Sequence, residues 1–206
     1  MVVIVDYGVG NLFSIISSFR AIGVEAVATG DAEIIRKAER ILLPGVGAFE
    51  DAAKKLFSSG LAEIIVQKAK EGTPLLGICL GMQLLFDKSY EYGEHKGLGL
   101  ISGEIKPLSS IVPQAYKIPH IGWNALSFPQ AHPLFQFVQE EECVYFVHSY
   151  YAVTDSANII AQTEYGAPVT AAVASGNVYG CQFHPEKSGE TGLNVLRAFS
   201  QMEAKK

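Results

Sequence analysis

One cysteine of this chain has a setting typical of a nucleophile. Cys79 lies in the run Gly77-Ile78-Cys79-Leu80-Gly81, directly after the apolar run Leu75 to Ile78. Glycines two residues to either side let the backbone turn sharply from a strand into a helix, as in the G-x-S-x-G turn. A helix that begins there would also favour the thiolate over the thiol. The alternative is a small buried cysteine, and this run alone does not decide between the two.

A thiol nucleophile needs a base, and one of the five histidines has a suitable neighbour. His184 follows the apolar run Val178 to Phe183 and precedes Pro185-Glu186. Residues two apart in an extended chain point to the same side, so the Glu186 carboxylate can reach the imidazole. Nucleophile, base and orienting acid together form a catalytic triad. Without Cys79, an exposed His-Pro-Glu turn would be the simpler interpretation.

The other histidines and cysteines have weaker settings. His95 lies in a polar loop, and His132 precedes a proline at a predicted helix start, whereas His120 and His148 lie beside aromatic residues and fit structural roles. Cys143 directly precedes one predicted strand and Cys181 lies inside another, and both are interpreted as packing residues.

Attack on an amide creates a negative oxygen that needs backbone donors, each worth about 3–4 kcal/mol. The N–H of Leu80, directly after the nucleophile, is one candidate. A second would come from Val46 or Gly47 in the run Pro44-Gly45-Val46-Gly47, because glycines permit the backbone angles that point an N–H inward. An ordinary strand-to-helix turn remains the alternative.

Apolar runs and helical periods alternate in the first half of the chain. Strands are predicted at Val2 to Val5, Val24 to Ala28, Ile41 to Leu43 and Leu75 to Ile78, and helices at about Leu12 to Ile22, Asp31 to Glu39, Phe49 to Phe57, Leu61 to Lys70 and from Met82 to Phe86. This alternation predicts a mostly parallel sheet with helices on both faces.

The second half is rich in short strands. They are predicted at Leu98 to Ile101, Val144 to His148, Ile159 to Thr163, Val169 to Ala174 and Val178 to Phe183, before a last helix at about Thr191 to Gln201. The predicted fold class is therefore a three-layer α/β fold, in which antiparallel strands extend one edge of a mostly parallel sheet. The absence of a repeat or linker predicts one domain over residues 1–206.

Composition excludes several classes of protein. The 206 residues carry a net charge of -5, which argues against a nucleic-acid partner, and no apolar run reaches the length of a membrane span. The cysteines show no metal-ligand spacing, and Gly8-Val9-Gly10 lacks the third glycine and the acidic residue of a dinucleotide site. We therefore expect no metal, no cofactor and a cytoplasmic location, where thiols stay reduced.

Two runs together resemble the signature of the class I, triad-type glutamine amidotransferases. That signature is a G-x-C-x-G-x-Q turn with a distant H-P-E, here Gly77 to Gln83 and His184-Pro185-Glu186. Further runs are similar to the glutaminase subunits of imidazole glycerol phosphate synthases. They begin at Asp6, Pro44, Pro119, Tyr145 and Gln182, and read DYGVGNL, PGVGAF, PHIGWN, YFVHSYY and QFHPEKS.

This resemblance implies a substrate and a partner. Cys79 would attack the side-chain amide of glutamine, and ammonia would pass through a tunnel to a (β/α)8-barrel cyclase subunit that makes imidazole glycerol phosphate and an aminoimidazole carboxamide ribonucleotide in histidine biosynthesis. The resemblance assigns Gly45, Gln83, Ser149 and Tyr150 to the glutamine pocket. Glu91 would hold the α-ammonium, although Tyr90-Glu91-Tyr92-Gly93 differs from the usual Ser-Glu-Glu-Gly run. The partner-facing set is Asn11, His120, Trp123, Asn124 and Lys187.

Three alternatives stay open at this point: a glutaminase for another synthase such as the anthranilate type, a non-catalytic binding subunit with this fold, and a stand-alone cysteine hydrolase. The flexible Gly45-Val46-Gly47 run also predicts slow glutamine hydrolysis by the chain alone, and faster hydrolysis when the cyclase binds its ligand.

Overall fold

The computed structural model describes residues 1–204, which form three β-sheets and six α-helices. The strands are β1 (Val2–Val5), β2 (Ala26–Thr29), β3 (Arg40–Leu43), β4 (Leu75–Ile78), β5 (Phe86–Ser89), β6 (His95–Lys96), β7 (Ile101–Pro107), β8 (His120–Ala125), β9 (Cys143–His148), β10 (Tyr150–Val153), β11 (Ile159–Glu164), β12 (Pro168–Ser175) and β13 (Val178–Cys181). The helices are α1 (Leu12–Ala21), α2 (Ala32–Arg36), α3 (Phe49–Ser58), α4 (Leu61–Lys70), α5 (Leu80–Gln83) and α6 (Gly189–Ser200).

The central sheet has seven strands in the order β11-β12-β13-β4-β3-β1-β2. Strands β2, β1, β3, β4 and β13 run parallel, so the loops that follow β1, β3, β4 and β13 meet at one edge. Strands β11 and β12 pair antiparallel beyond β13, which confirms the antiparallel extension predicted at one edge. The edge where the parallel strands end carries the predicted site, as expected for α/β sheets.

Helices cover both faces of this sheet, and two separate cores result. On one face, α2, α3 and α4 pack through Ile35, Leu56 and Ile65 against alternate residues of β1 and β3. On the other face, α1 and α6 pack through Phe19 and Phe199. The strands are apolar on both sides because both sides are covered, which confirms the three-layer prediction.

The segment from β5 to β10 also forms two small sheets that the sequence did not predict. One has the order β10-β7-β5-β6, and the other pairs β8 with β9 in antiparallel register. Strand β9 ends beside the cleft described below, so the small β8–β9 sheet contributes one wall of the site.

The predicted helix from Met82 to Phe86 is wrong. Helix α5 ends after four residues at Gln83, and Phe86 begins strand β5. The predicted strand Leu98 to Ile101 is displaced as well, because β7 begins only at Ile101. The residues before it bind the turn that follows α5, where the N–H groups of Leu98 and Leu100 donate to the carbonyls of Leu84 and Leu85. The short apolar run Leu84 to Phe86 is fully buried, and such a run does not reveal its backbone conformation by period alone.

Candidate active site

Cys79 occupies a sharp turn between β4 and α5. Its φ is 54°, a left-handed value that is rare for a residue with a side chain. The flanking glycines are sterically required: a Cβ on Gly77 would lie 2.6 Å from the Gly81 carbonyl oxygen, and one on Gly81 would lie 2.0 Å from the Leu43 oxygen. The glycines therefore let β4, β3 and α5 approach closely while the turn presents the cysteine.

The expected contribution of a helix N-terminus at Cys79 is small in this fold. Helix α5 contains only four residues, so few aligned peptide dipoles point toward the sulfur.

His184 and Glu186 are paired as the sequence predicts. The His184 Nδ1 lies 2.7 Å from Glu186 Oε1, and both side chains are almost completely buried. Burial by itself lowers the pKa of His184, but the neighbouring Cys79 sulfur and Glu186 carboxylate outweigh this effect and raise the pKa to about 10. An imidazole with that pKa holds its proton at neutral pH.

Strand β13 ends at Cys181, three residues before His184, so the predicted strand to Phe183 is too long. The backbone of His184 is held instead by two hydrogen bonds. Its N–H donates to the Tyr145 carbonyl at 3.0 Å. The Ser188 hydroxyl donates to the His184 carbonyl at 2.6 Å and accepts from the Tyr145 N–H at 2.9 Å. Sequence reasoning missed this role of Ser188, because nothing local links it to Tyr145.

A cleft of about 310 Å³ opens in front of Cys79 and His184. It collects most residues that were predicted to bind glutamine or its oxyanion: Val46, Gly47, Leu80, Gln83, Glu91, Ser149 and Tyr150. Gly45 does not line the cleft. It is buried behind it, where a Cβ would lie 2.6 Å from the Gly81 N–H nitrogen, so its role is close packing of the two turns.

The loop with the predicted oxyanion donors is held at both ends. The Tyr7 hydroxyl donates to the Pro44 carbonyl at 2.7 Å, and the Phe49 N–H donates to Glu91 Oε2 at 2.6 Å. Between these anchors Val46 and Gly47 are exposed, and Gly47 has a φ of 92°. The exposed part of the loop is therefore the two residues that would supply a donor.

Glu91 thus already uses one oxygen to bind the start of α3. Burial raises the pKa of this carboxyl, and the Phe49 N–H and nearby His95 oppose the effect. Leu80 is the first residue of α5, so its N–H has no acceptor within the helix. The geometry therefore leaves this donor available toward the cleft.

Two further histidines form a buried pair beside the cleft. His148 Nδ1 lies 2.8 Å from the Tyr150 carbonyl oxygen, and His148 Nε2 lies 3.1 Å from His120 Nδ1. His120 Nε2 contacts Asn124 Oδ1 at 2.7 Å. This pair fits the structural alternative, and the assignment of His120 to the partner-facing set is wrong, since its side chain is fully buried.

The remaining members of the partner-facing set lie nearer the surface. Trp123 is 55% exposed, and the Lys187 Nζ lies 5.8 Å from the centre of the Tyr145 ring. Asn11 caps α1 by accepting from the Ser14 N–H, and Asn124 donates to the Glu164 carbonyl. The structure therefore brings Trp123 and Lys187 to one face but gives both asparagines roles within the fold.

The other cysteines differ from one another. Cys181 is fully buried in β13, as expected of a packing residue, whereas Cys143 is exposed at the start of β9, so its interpretation as packing is wrong. Within residues 1–204, no helix has the length and apolarity needed to cross a membrane.

Comparisons with known proteins agree with this geometry. The family model described as glutamine amidotransferase class-I matches residues 3–201. The imidazole glycerol phosphate synthase subunit HisH of Geobacillus sp. (strain WCH70) is 47% identical over 205 residues, which cover 98% of this chain and 97% of that protein. The protein of the same name from Lactococcus lactis subsp. lactis (strain IL1403) is 49% identical over 199 residues, covering 96% of each.

Solved structures with lower identity share the fold. A crystal structure of a glutamine amidotransferase superposes with a TM-score of 0.75 at 18% identity and covers 97% of both chains. The structure of PurLQS from Thermotoga maritima superposes with a TM-score of 0.74 at 22% identity and covers 96% of both chains.

Proposed function

Because the chain belongs to the class-I glutamine amidotransferase family, we propose that it hydrolyses glutamine and supplies the ammonia to a cyclase subunit of imidazole glycerol phosphate synthase. The observation that carries the proposal is Cys79, held at a left-handed φ on a glycine-flanked turn and facing the buried His184–Glu186 pair. The relatives named as synthase subunits HisH, which match over nearly their full length, support the choice of synthase.

The first half of the proposed reaction forms a thioester. The Cys79 thiolate attacks the side-chain carbonyl carbon of glutamine, and the resulting oxyanion accepts hydrogen bonds from the Leu80 N–H and a donor of the Val46–Gly47 loop. The His184 imidazolium then gives its proton to the amide nitrogen, the C–N bond breaks, and ammonia leaves. Glu186 holds the imidazole through Nδ1, so Nε2 faces the sulfur.

The second half releases glutamate. Neutral His184 takes a proton from water as the water oxygen attacks the thioester carbon, the C–S bond breaks, and the thiolate–imidazolium pair forms again. No step needs a cofactor. The chemistry does need a free thiol, which a reducing cytoplasm maintains, and the three cysteines are unpaired.

We propose that the cyclase, a (β/α)8-barrel, docks on the face that carries Trp123 and Lys187. An exposed tryptophan on a rigid strand, with Ile121 also exposed two residues away on the same side, is typical of the centre of an interface. The anchored Pro44 to Phe49 loop is then the element through which docking would change glutamine hydrolysis. The alternative of a stand-alone hydrolase predicts full activity without a partner.

The test is glutamate release with and without the cyclase and its ligand, in the wild type and in Cys79→Ala and Cys143→Ala. We expect slow hydrolysis by the chain alone, faster hydrolysis in the complex, none with Cys79→Ala, and an unchanged rate with Cys143→Ala, because Cys143 lies outside the cleft. Full activity of the isolated wild type would contradict the dependence on a partner, and activity of Cys79→Ala would contradict the nucleophile.

A further inference from the structure

We infer that the buried side-chain amide of Gln182 is a hydrogen-bond donor to the Cys79 sulfur and stabilises its thiolate. Gln182 is completely buried, and its Nε2 lies 3.8 Å from the Cys79 Sγ. A hydrogen bond to the charged form of a group favours that form, and a sulfur accepts N–H donors at longer distances than oxygen does. The inference deepens the proposed function, since it concerns the same thiol, and it rests on that function for its catalytic meaning.

The sheet register places Gln182 beside the nucleophile. Strand β13 runs parallel to β4, and their last residues, Cys181 and Ile78, lie opposite each other. The residues that directly follow the two strands are Gln182 and Cys79. The Cys79 N–H donates to the Cys181 carbonyl at 2.7 Å, and the Gln182 N–H donates to the Ala171 carbonyl at 2.8 Å. These backbone bonds fix the two residues side by side at the end of the sheet.

The direction of the Gln182 amide follows from a chain of hydrogen bonds that begins at a backbone carbonyl. The Tyr150 carbonyl can only accept, so the Gln83 group that contacts it at 3.2 Å is the NH2 group. The same Gln83 nitrogen lies 3.0 Å from Gln182, which must therefore accept through Oε1. The Gln182 NH2 group is left facing Cys79, so the sulfur receives a donor.

His148 reinforces the same polarity. Its Nδ1 also faces the Tyr150 carbonyl, so Nδ1 carries a proton and the carbonyl accepts from two donors. Reversal of the Gln83 amide would place its oxygen against that carbonyl oxygen, with two acceptors in contact. The Tyr150 carbonyl therefore fixes which atom donates in each hydrogen bond of the network, through Gln83 and Gln182 to the Cys79 sulfur.

Gln182 is one of several groups that act on the thiol. His184 and Tyr7 are titratable groups that interact with Cys79, and Glu186 contacts His184 through Nδ1. Gln182 differs from them because it is neutral at every pH, so its loss would shift the ionisation of the thiol without removing a titrating group.

The experiment measures alkylation of Cys79 by iodoacetamide in the full chain from pH 5 to 9, with the rate taken from peptide masses. A Cys143→Ser background removes the exposed thiol. Gln182→Met keeps the side-chain volume but has no side-chain N–H. We expect its alkylation rate at neutral pH to fall about tenfold, while the limiting rate at alkaline pH stays unchanged. The alkylation rate of Gln182→Glu should fall further, because its carboxylate places an acceptor and a negative charge against the sulfur.

Gln130→Met is the matched control. The Gln130 amide also takes part in two hydrogen bonds, both donated, to the Ala157 and Ile159 carbonyls. Gln130 does not line the cleft, so the alkylation profile of Gln130→Met should match that of the background protein. A folded Gln182→Met with an unchanged profile would overturn the inference.

A measurement on the unsubstituted side chain covers the case in which Gln182→Met does not fold. The chemical shift of the Gln182 side-chain amide proton, followed by NMR through the pH range, should change as Cys79 ionises. A chemical shift that does not change with this ionisation would also overturn the inference. Neither assay contains glutamine or cyclase. A chain that fails to hydrolyse glutamine can therefore still support the inference, and a glutaminase with an unchanged Gln182→Met profile would refute only the inference.

Discussion

His184 and His148 line the same cleft and are both almost completely buried, yet their pKa values move in opposite directions. Burial lowers the pKa of His148 to about 3, only partly offset by its bond to the Tyr150 carbonyl, and nearby His120 and His184 lower it further. For His184 the same burial penalty is outweighed by Cys79 and Glu186, and the pKa rises to about 10. The charge of the partner, not the depth of burial, decides the protonation state.

This difference separates the tasks of the two histidines. His184 holds a proton at neutral pH, because the acidic side chains of Cys79 and Glu186 stabilise its imidazolium. His148 stays neutral with a fixed tautomer, so it can hold the Tyr150 carbonyl without placing a second positive charge beside the thiol. The predictions below test whether the acidic partners of His184 are the cause of the contrast.

The largest expected effect is that of Glu186→Gln. The pKa of His184 should fall because its carboxylate partner is lost, and glutamine hydrolysis in the cyclase complex should drop by about 10³–10⁴-fold, as for neutralised triad acids. Steady-state glutamate release measures this. The control is Glu190→Gln, four residues along and exposed, which should keep the wild-type rate. A Glu186→Gln protein that hydrolyses glutamine at the wild-type rate would contradict the explanation of the contrast between His184 and His148 by the carboxylate of Glu186.

A smaller effect is expected on the pH dependence of stability. His148 has a folded pKa below its unfolded value of 6.5, so it contributes stability above pH 6.5 that is lost as the pH falls toward about 3. His148→Gln should flatten the slope of the unfolding free energy by up to about 1.4 kcal/mol per pH unit between pH 4 and 6. Urea unfolding at several pH values measures this dependence. The prediction would be contradicted if the unfolding free energy changed with pH by the same amount in the wild type and in His148→Gln.

The pH dependence of stability that His184 contributes has the opposite sign. The folded pKa of His184 lies above its unfolded value, so its contribution to stability is complete below pH 6.5 and is lost as the pH rises toward about 10. His184→Gln should therefore reduce the fall in stability on the alkaline side and leave the acid slope unchanged. The same unfolding series extended to pH 10 measures this, and a changed acid slope would mean that the two histidines are not separable.

The smallest expected effect is that of Asn124→Ala. It removes the contact with His120 Nε2 and the bond to the Glu164 carbonyl, so the free energy of unfolding should fall by about 1–2 kcal/mol. The alkylation rate of Cys79 should not change, because the perturbation lies at the far end of the histidine pair. Thermal unfolding measures the change in stability, and thiol alkylation measures the reactivity of Cys79. Slower alkylation would show that the pair of His120 and His148 acts on the thiol.

Local sequence predicted the parts of the site that neighbouring residues define. The spacing of Gly77, Cys79 and Gly81 indicated the turn, and the observed contacts of the two glycines give its steric reason. The His-Pro-Glu run indicated the pairing of His184 with Glu186, because both lie within one short segment. The parallel strands of the first half and the antiparallel edge followed from patterns of equally short range.

The errors have a common cause in contacts between distant segments. Helix α5 stops after Gln83 because the buried turn that follows binds Leu98 and Leu100, some 14 residues away in the chain. His120 fitted either a structural or a partner-facing role until β8 paired with β9 and buried it against His148. A pattern of apolar and polar residues does not contain these pairings.

By itself, the sequence indicated the glycine-flanked turn at Cys79, the pairing of His184 with Glu186, and the sheet edge at which both lie. Only the tertiary structure decided which charges and donors surround them. The register of β13 on β4 places Gln182 against Cys79, and the end of β9 places a neutral His148 beside a charged His184. The physical reason is that protonation states and hydrogen-bond directions depend on distances of a few ångströms between residues about 100 positions apart, such as the 3.8 Å that joins Gln182 to Cys79.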